Sequence, residues 1–295
     1  MRPLAVVYVD AASASLRRSV QEFCERYVSD AAVGLISESG EALFIGSGVQ
    51  ELNRDLGRSG FTPQVSKPAK ATELFSDLNQ WMLKLLLAPE LPEHLLSAPR
   101  NEYRSATQLA EAAQASPMSA SRFTRRFEEE GFLEHSGGTF RLVRRTELFH
   151  RWKSAAMRSS PELRMVFLIP AKGMSRVLKA AEETGACIGL FAAATLLKVG
   201  HVSGIPPYLY VKRLARSHGW PGMAPAREGE APQVIIKQSN FPVSLFRAAV
   251  PTEEGAKVAD VLQIWLDASA HPSRGQEQAE HLAHGVLRNV LGGTH

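Results

Sequence analysis

Five side chains between residues 119 and 126 are of the types that read nucleic acid: Ser119, Ser121, Arg122, Arg125 and Arg126. They lie in the run Ser116-Pro-Met-Ser-Ala-Ser-Arg-Phe-Thr-Arg-Arg-Phe127, where Ala120, Phe123 and Phe127 recur at helical spacing and the arginines fall away from that stripe. Small hydroxyls can approach phosphates and base edges, and a guanidinium can fork onto the O6 and N7 of guanine. Ser116 and Pro117 are a helix start, serine as N-cap and proline as first helical residue. Glu128, Glu129 and Glu130 follow directly and would repel phosphate if they shared the arginine face. After Gly131, Phe132-Leu133 opens a strand, His135-Ser-Gly-Gly138 is a hairpin turn, and Phe140 to Arg145 returns. The return strand places Arg141, Arg144 and Arg145 beside the helix. Together these residues point to a DNA-binding surface made of Ser116, Ser119, Ser121, Arg122, Arg125 and Arg126 on the helix and Arg141, Arg144 and Arg145 on the hairpin.

Such a surface needs a scaffold, and the flanking residues supply one. Ser105 with Gln108 forms a capping-box pattern ahead of Leu109, Ala112 and Ala113, which gives a first helix before the turn. Helix, tight turn, helix and hairpin in that order are the parts of a winged helix-turn-helix. Leu74 to Leu87, with Leu78, Trp81, Met82 and Leu85 on one stripe, reads as the opening helix of that module, stopped by Pro89 and Pro92. Glu147 to Met157, anchored by Leu148, Phe149 and Trp152, reads as its closing helix.

On the N-terminal side, strands are expected over Leu4–Val9, Ala32–Ile36 and Ala42–Ile45, with helices over Ser15–Val28 and Gln50–Leu56. A polar stretch over 57–72 marks a boundary. On the C-terminal side, beyond Ser159-Ser160-Pro161, strands are expected over Met165–Ile169, Leu209–Val211, Val234–Lys237 and Val243–Ala248. Helices are expected over Gly173–Thr184, Ile188–Leu197, Arg213–His218, Val261–Ala270 and Gln276–Leu291, and an exposed loop over Gly219–Pro232. The expected fold class is therefore α/β (α+β): a small α/β unit over 1–72, a central winged helix-turn-helix over 73–158 and an α/β domain over 159–295.

The net charge of +4 is unevenly spread: −3 over residues 1–99, +1 over 100–150 and +6 over 151–295. Two cysteines without paired spacing, Cys24 and Cys187, suit a reduced cytoplasmic protein. The longest apolar stretch, Cys187–Leu197, is about half the roughly 20 residues that a bilayer span needs, and no secretory signal precedes Asp10. A phosphate-binding loop, a complete dinucleotide fingerprint and a nucleophile elbow are all missing, so no catalytic residue and no cofactor is expected. His281 and His284 with Glu277 and Glu280 share a helix face, yet no third group with ligand spacing joins them, so a metal is not expected either. Asp10, Glu22, Glu38 and Glu41 resemble nuclease carboxylates but lack the neighbouring lysine that orients an attacking water.

Four later segments carry a resemblance. Glu183-Thr-Gly-Ala-Cys-Ile-Gly running on to Leu197, Pro207-Tyr-Leu-Tyr-Val211, Val261-Leu-Gln-Ile-Trp-Leu-Asp267 and His271-Pro-Ser-Arg-Gly-Gln-Glu-Gln-Ala-Glu280 resemble, in this order, the AbiEi-like type IV antitoxins and related bacterial transcriptional regulators. The resemblance covers roughly residues 75–295 and leaves about 75 extra residues in front. It implies a repressor that binds inverted repeats in its own promoter and opposes a nucleotidyltransferase-like toxin without lasting contact. In the same segments, Leu262, Trp265 and Leu266 are expected in the core, and Arg274 is expected to pair with Asp267 across a turn. Dimerisation on DNA stays open. So do two other readings of the residues: a nucleic-acid enzyme that docks through the winged helix, and an adaptor whose basic C-terminal domain meets an acidic protein.

Overall fold

The computed structural model describes residues 4–9, 17–18, 20–22, 24, 32–37, 42–46, 48–49, 51–55, 74–168, 174–214 and 220–292. The chain is mixed α/β, divided into two compact units, Met1–Ala69 and Lys70–His295. The first boundary expected from composition, at residue 72, falls beside this division.

In the N-terminal unit β1 (Leu4–Val9) pairs in parallel with β2 (Ala32–Ser37), and β2 pairs antiparallel with β3 (Ala42–Ile45). A parallel pair needs a long crossover, and residues 17, 18, 20–22 and 24 between the two strands are helical, within the helix expected over Ser15–Val28. Asn53, on the short helix Leu52–Asp55, holds β3 by accepting from the Phe44 amide and donating to its carbonyl, both at 2.7 Å. Asp10, Glu38 and Glu41 lie outside the described residues, and Glu22 is exposed.

The second unit opens with α1 (Asp77–Leu87). Two single 3-10 turns, Ala88–Glu90 and Glu93–Leu95, follow it around Pro89 and Pro92. Then come α2 (Ala106–Ala113), α3 (Pro117–Glu129), the hairpin β4 (Leu133–Ser136) and β5 (Thr139–Leu142), and α4 (Arg145–Ala156). The sheet region continues with β6 (Glu162–Phe167), α5 (Ser175–Thr184), β7 (Cys187–Gly189), α6 (Leu190–Leu196), β8 (Tyr208–Val211), β9 (Met223–Pro225) and β10 (Val234–Gln238). It closes with α7 (Pro242–Ala248), β11 (Val250–Pro251), β12 (Lys257–Val258), α8 (Val261–Ala270) and α9 (Gly275–His284). Among the described residues the sheet has seven strands in the order β11-β12-β7-β8-β10-β6-β9, with β8–β10 and β7–β12 parallel and the other pairs antiparallel.

Several expectations are corrected. Val243–Ala248 is helical, not extended. Pro242 takes the first helical position, and the Asp77 carboxylate, arriving from α1, accepts from the Val243 and Ser244 amides at 2.8 and 2.7 Å. A cap supplied from 166 residues away in sequence cannot be seen in a local pattern. Ile188 belongs to a strand, because the chain leaves β7 at Gly189 before α6 begins. The loop expected over Gly219–Pro232 contains β9, which forms the sheet edge against β6. The last helix ends at His284, capped by Gly285, instead of running to Leu291. Arg274 does not meet Asp267: its guanidinium forks onto Glu277, and Asp267 accepts from Gln263 instead. Leu262, Trp265 and Leu266 are buried as expected. Most of the basic helix expected over 213–218 lies outside the described residues. No described helix is long and apolar enough to cross a membrane.

Packing runs across the boundary expected at residue 158. One continuous core cluster joins Leu74 to Val290. Phe149 of α4 meets Trp265 of α8 edge-on at 5.9 Å. Lys84 of α1 pairs with Asp260 at 2.7 Å, and neither side chain has any solvent exposure. Asp260 is also the N-cap of α8, accepting from the amides of Leu262 and Gln263 at 3.1 Å. Removing one member of such a pair leaves the other charge buried and uncompensated. Lys84→Met is therefore expected to lower stability by about 3–5 kcal/mol. The double variant Lys84→Met/Asp260→Asn, which keeps a cap on α8, is expected to lose clearly less; urea unfolding of both variants beside the parent chain checks this.

Candidate nucleic-acid interface

The described helices α1, α2 and α3 are followed by the two-stranded hairpin β4–β5. Ser105 caps α2, its hydroxyl accepting from the Gln108 amide at 3.3 Å, while Gln108 Oε1 reaches back to the Arg104 amide at 2.8 Å. Gln114, left-handed with φ 48°, ends α2 and turns the chain into Ser116. Gly137 and Gly138, with φ of 63° and 80°, form a tight hairpin turn of the kind that matches strand twist. The hairpin is tied to the helices where the Phe140 amide donates to the Tyr103 carbonyl at 2.8 Å.

The buried face of α3 sets its orientation. Ala120, Phe123 and Phe127 have at most 1% exposure, and the two rings touch at 4.3 Å between centroids. Phe127 meets Phe75 edge-on at 6.1 Å, and Phe75 stacks on Trp152, whose indole donates to Gln80 at 2.9 Å. Burial of two phenyl rings contributes several kcal/mol, enough to fix which side of α3 is turned outward. Ser121, Arg122 and Arg125 are exposed on that outward side.

The nine residues singled out by sequence divide into three groups. Arg122, Arg125, Ser121 and Arg141 face solvent. Arg125 has only a loose pair with Glu129, 3.7 Å apart with both side chains more than half exposed, and an exposed pair of this kind holds an arginine weakly. Arg141 sits on β5 opposite Glu134 of β4. Ser119 and Arg126 form a second, half-buried group: Arg126 lies 3.7 Å from Glu130 and Ser119 is tied to the cap. With Ser76, Asn79, Arg122 and Glu129 they line a groove of about 440 Å³ between α3 and the first turn of α1.

The third group is structural. Ser116 spends its hydroxyl as N-cap on the Ser119 amide at 3.1 Å and on the Ser119 hydroxyl at 2.9 Å. Arg144 and Arg145 are not on the return strand, because β5 ends at Leu142. Arg144 adopts φ 48° at the entry to α4 and its guanidinium is bonded to Glu147, to the Glu130 carbonyl and over the Phe132 ring. Arg145 forks onto Glu90 and donates to the carbonyls of Leu142 and Val290. A fork is the geometry in which arginine pairs are strongest, so Arg145 joins the hairpin to the end of the chain.

Met118 is a residue the sequence reading passed over. It is 62% exposed at the start of α3, off the buried stripe, where an apolar side chain can meet a thymine methyl. Its position relative to Ala120 and Phe123 was a sufficient signal. The histidine cluster does not form a site: Glu277 is engaged by Arg274, and His281 stacks on His201 at 4.8 Å. Among the described residues no group of three His, Cys, Asp or Glu side chains could hold a metal. Glu277 is held below the ordinary carboxylate range by its bond to Arg274. No protein-family model matches the chain, and no curated protein matches it.

The division of the arginines is testable without DNA. Arg145→Ala is expected to cost about 1–3 kcal/mol of stability. Arg122→Ala should stay within about 0.5 kcal/mol of the parent, as surface changes do. Thermal unfolding of the two variants beside the parent measures the difference.

Proposed function

We propose that this chain is a sequence-specific DNA-binding transcriptional regulator, a repressor of the kind the type IV antitoxins represent. The observation that carries the reading is the two-sided character of α3. Phe123 and Phe127 are sealed in the core while Arg122, Arg125, Ser121 and Met118 stand outward on the second helix of a helix-turn-helix. A helix presented in this way fits the major groove, with its N-terminal half against base edges.

On this reading Arg122 and Arg125 reach guanine edges or phosphates, and Met118 and Ser121 meet base edges between them. Arg141 touches the backbone from the hairpin. The groove between α3 and the first turn of α1 suits a phosphate, since guanidinium groups and helix N-termini both favour anions. Ser116, Arg144 and Arg145 act on the scaffold. The operator is an inverted repeat in the chain's own promoter. The counterpart of the sheet region is a nucleotidyltransferase-like toxin whose effect is opposed without a stable complex.

Binding-site selection with the purified protein yields the operator, and fluorescence anisotropy at fixed salt then measures each variant. Arg125→Ala is expected to weaken operator binding by about 1–3 kcal/mol if it contacts a base, with relaxed preference at one position. Arg141→Ala is expected to weaken binding equally across sequences and to flatten the salt dependence. Failure to enrich any sequence, or equal affinity of parent and Arg122→Ala/Arg125→Ala proteins, refutes the reading.

A further inference from the structure

A second polar site shares no lining residue with the groove beside α3. A cavity of about 250 Å³ opens between the end of α4, the strands β8 and β10, and the end of α8. Its inner end is Asp267, which accepts from Gln263 Nε2 at 3.0 Å through Oδ1, while Oδ2 is buried and makes no hydrogen bond of ordinary geometry, the Tyr210 hydroxyl being, among the described residues, the one donor group near the carboxylate besides Gln263. Gln263 cannot turn to serve it, because its Oε1 already accepts from Lys84 at 3.3 Å. A buried carboxylate oxygen without a donor is costly unless something supplies one.

Aromatic groups form the walls. Tyr208 and Tyr210 project from β8, and the Tyr208 hydroxyl bonds His271 Nε2 at 3.2 Å. The Tyr210 ring lies against bare backbone: a Cβ at Gly189 would fall 2.1 Å from it. Next to that glycine, Leu190 lines the cavity with φ 52°, a conformation that a bulky residue rarely adopts. Backbone strain of this kind collects at ligand sites. The walls also bear positive charge. Lys237 lies over the Tyr208 ring at 6.0 Å and Arg158 over Phe241 at 5.4 Å. Glu162 lines the same wall, paired in register with Lys237.

We infer that this cavity is a binding site for an amino-acid-sized zwitterion, its ammonium seated on Asp267 Oδ2 between the tyrosine rings and its carboxylate turned toward Lys237 and Arg158. An ammonium offers Oδ2 the well-placed charged donor that the Tyr210 hydroxyl does not supply, and is favoured by aromatic faces. A free acid would be repelled at the inner end, and a simple amine would leave the two cations unanswered. The volume admits a ligand smaller than most drug-sized guests.

The acid–base behaviour agrees. Burial pushes Asp267 up to about 6, against the lowering effects of Gln263, Tyr210, Lys237 and Lys84. Between the ordinary value of 3.8 and about 6 the folded chain keeps a proton that the unfolded chain has lost. Stability therefore falls as pH rises through that window, and the full penalty stands above it. Asp267→Asn removes the penalty, so the variant should melt higher than the parent at pH 8, the mark of a residue kept for binding at the expense of stability.

The test uses the full chain and thermal unfolding at pH 8 with each common L-amino acid at 10 mM, beside its N-acetyl derivative. At least one amino acid is expected to raise the midpoint by about 2–4 °C more than its acetylated form. That gain should vanish in Asp267→Asn. It should also fade in the parent between pH 7 and pH 5 as Asp267 takes up its proton. His271 lines the same cavity, and His271→Gln should keep the pH response. No amino acid outdoing its acetylated form, or an undiminished gain in Asp267→Asn, overturns the inference. The measurement needs no DNA, so it stands apart from the regulator reading.

Discussion

An ammonium and a carboxylate, 2.7 Å apart and shut away from water, join the two halves of the second unit. Two charges in a low-dielectric interior are tolerable only together. Lys84 sits on α1 and Asp260 starts α8, so each half supplies the charge that makes burial of the other's tolerable. Neighbouring contacts carry the same message. Asp77 of α1 caps α7, Arg247 of α7 bonds the Ala113 carbonyl at the end of α2, and the Ser97 amide reaches the Ala248 carbonyl at 3.1 Å. Helix ends on each side are thus satisfied by residues of the other.

Local pattern was enough to read the helices and the hairpin between residues 77 and 156. Its elements are short, its caps lie within three or four residues, and its stripe of Ala120, Phe123 and Phe127 follows helical period without interruption. The wing arginines show where such reading stops. Arg141, Arg144 and Arg145 are alike in sequence, yet only the first stays on the strand. The other two turn with the chain after Leu142 and are taken by Glu147 and by Glu90, the latter 55 residues distant. For Arg145 no nearby residue marks the acid that its guanidinium will find.

The sheet region was harder to read for a related reason. Val243 to Ala248 looks extended when taken alone, and becomes a helix because a distant carboxylate meets its first amides. Asp267 and Arg274 are seven residues apart with opposite charges, which invites a pair; Glu277, one helical turn from Arg274, wins it instead. That choice leaves Asp267 facing inward, where its surroundings differ most from what its sequence neighbours suggest.

The Lys84 arrangement has an evolutionary side. Domains divided from their neighbours by a linker of few contacts can be exchanged between proteins as units. Here a cut after residue 158 would expose an ammonium made for a dry interior and strip a helix of its cap. Recombination at that point yields a broken protein on both sides. A lineage can alter the outward side chains of α3 one at a time, but it inherits the helical module and the sheet together.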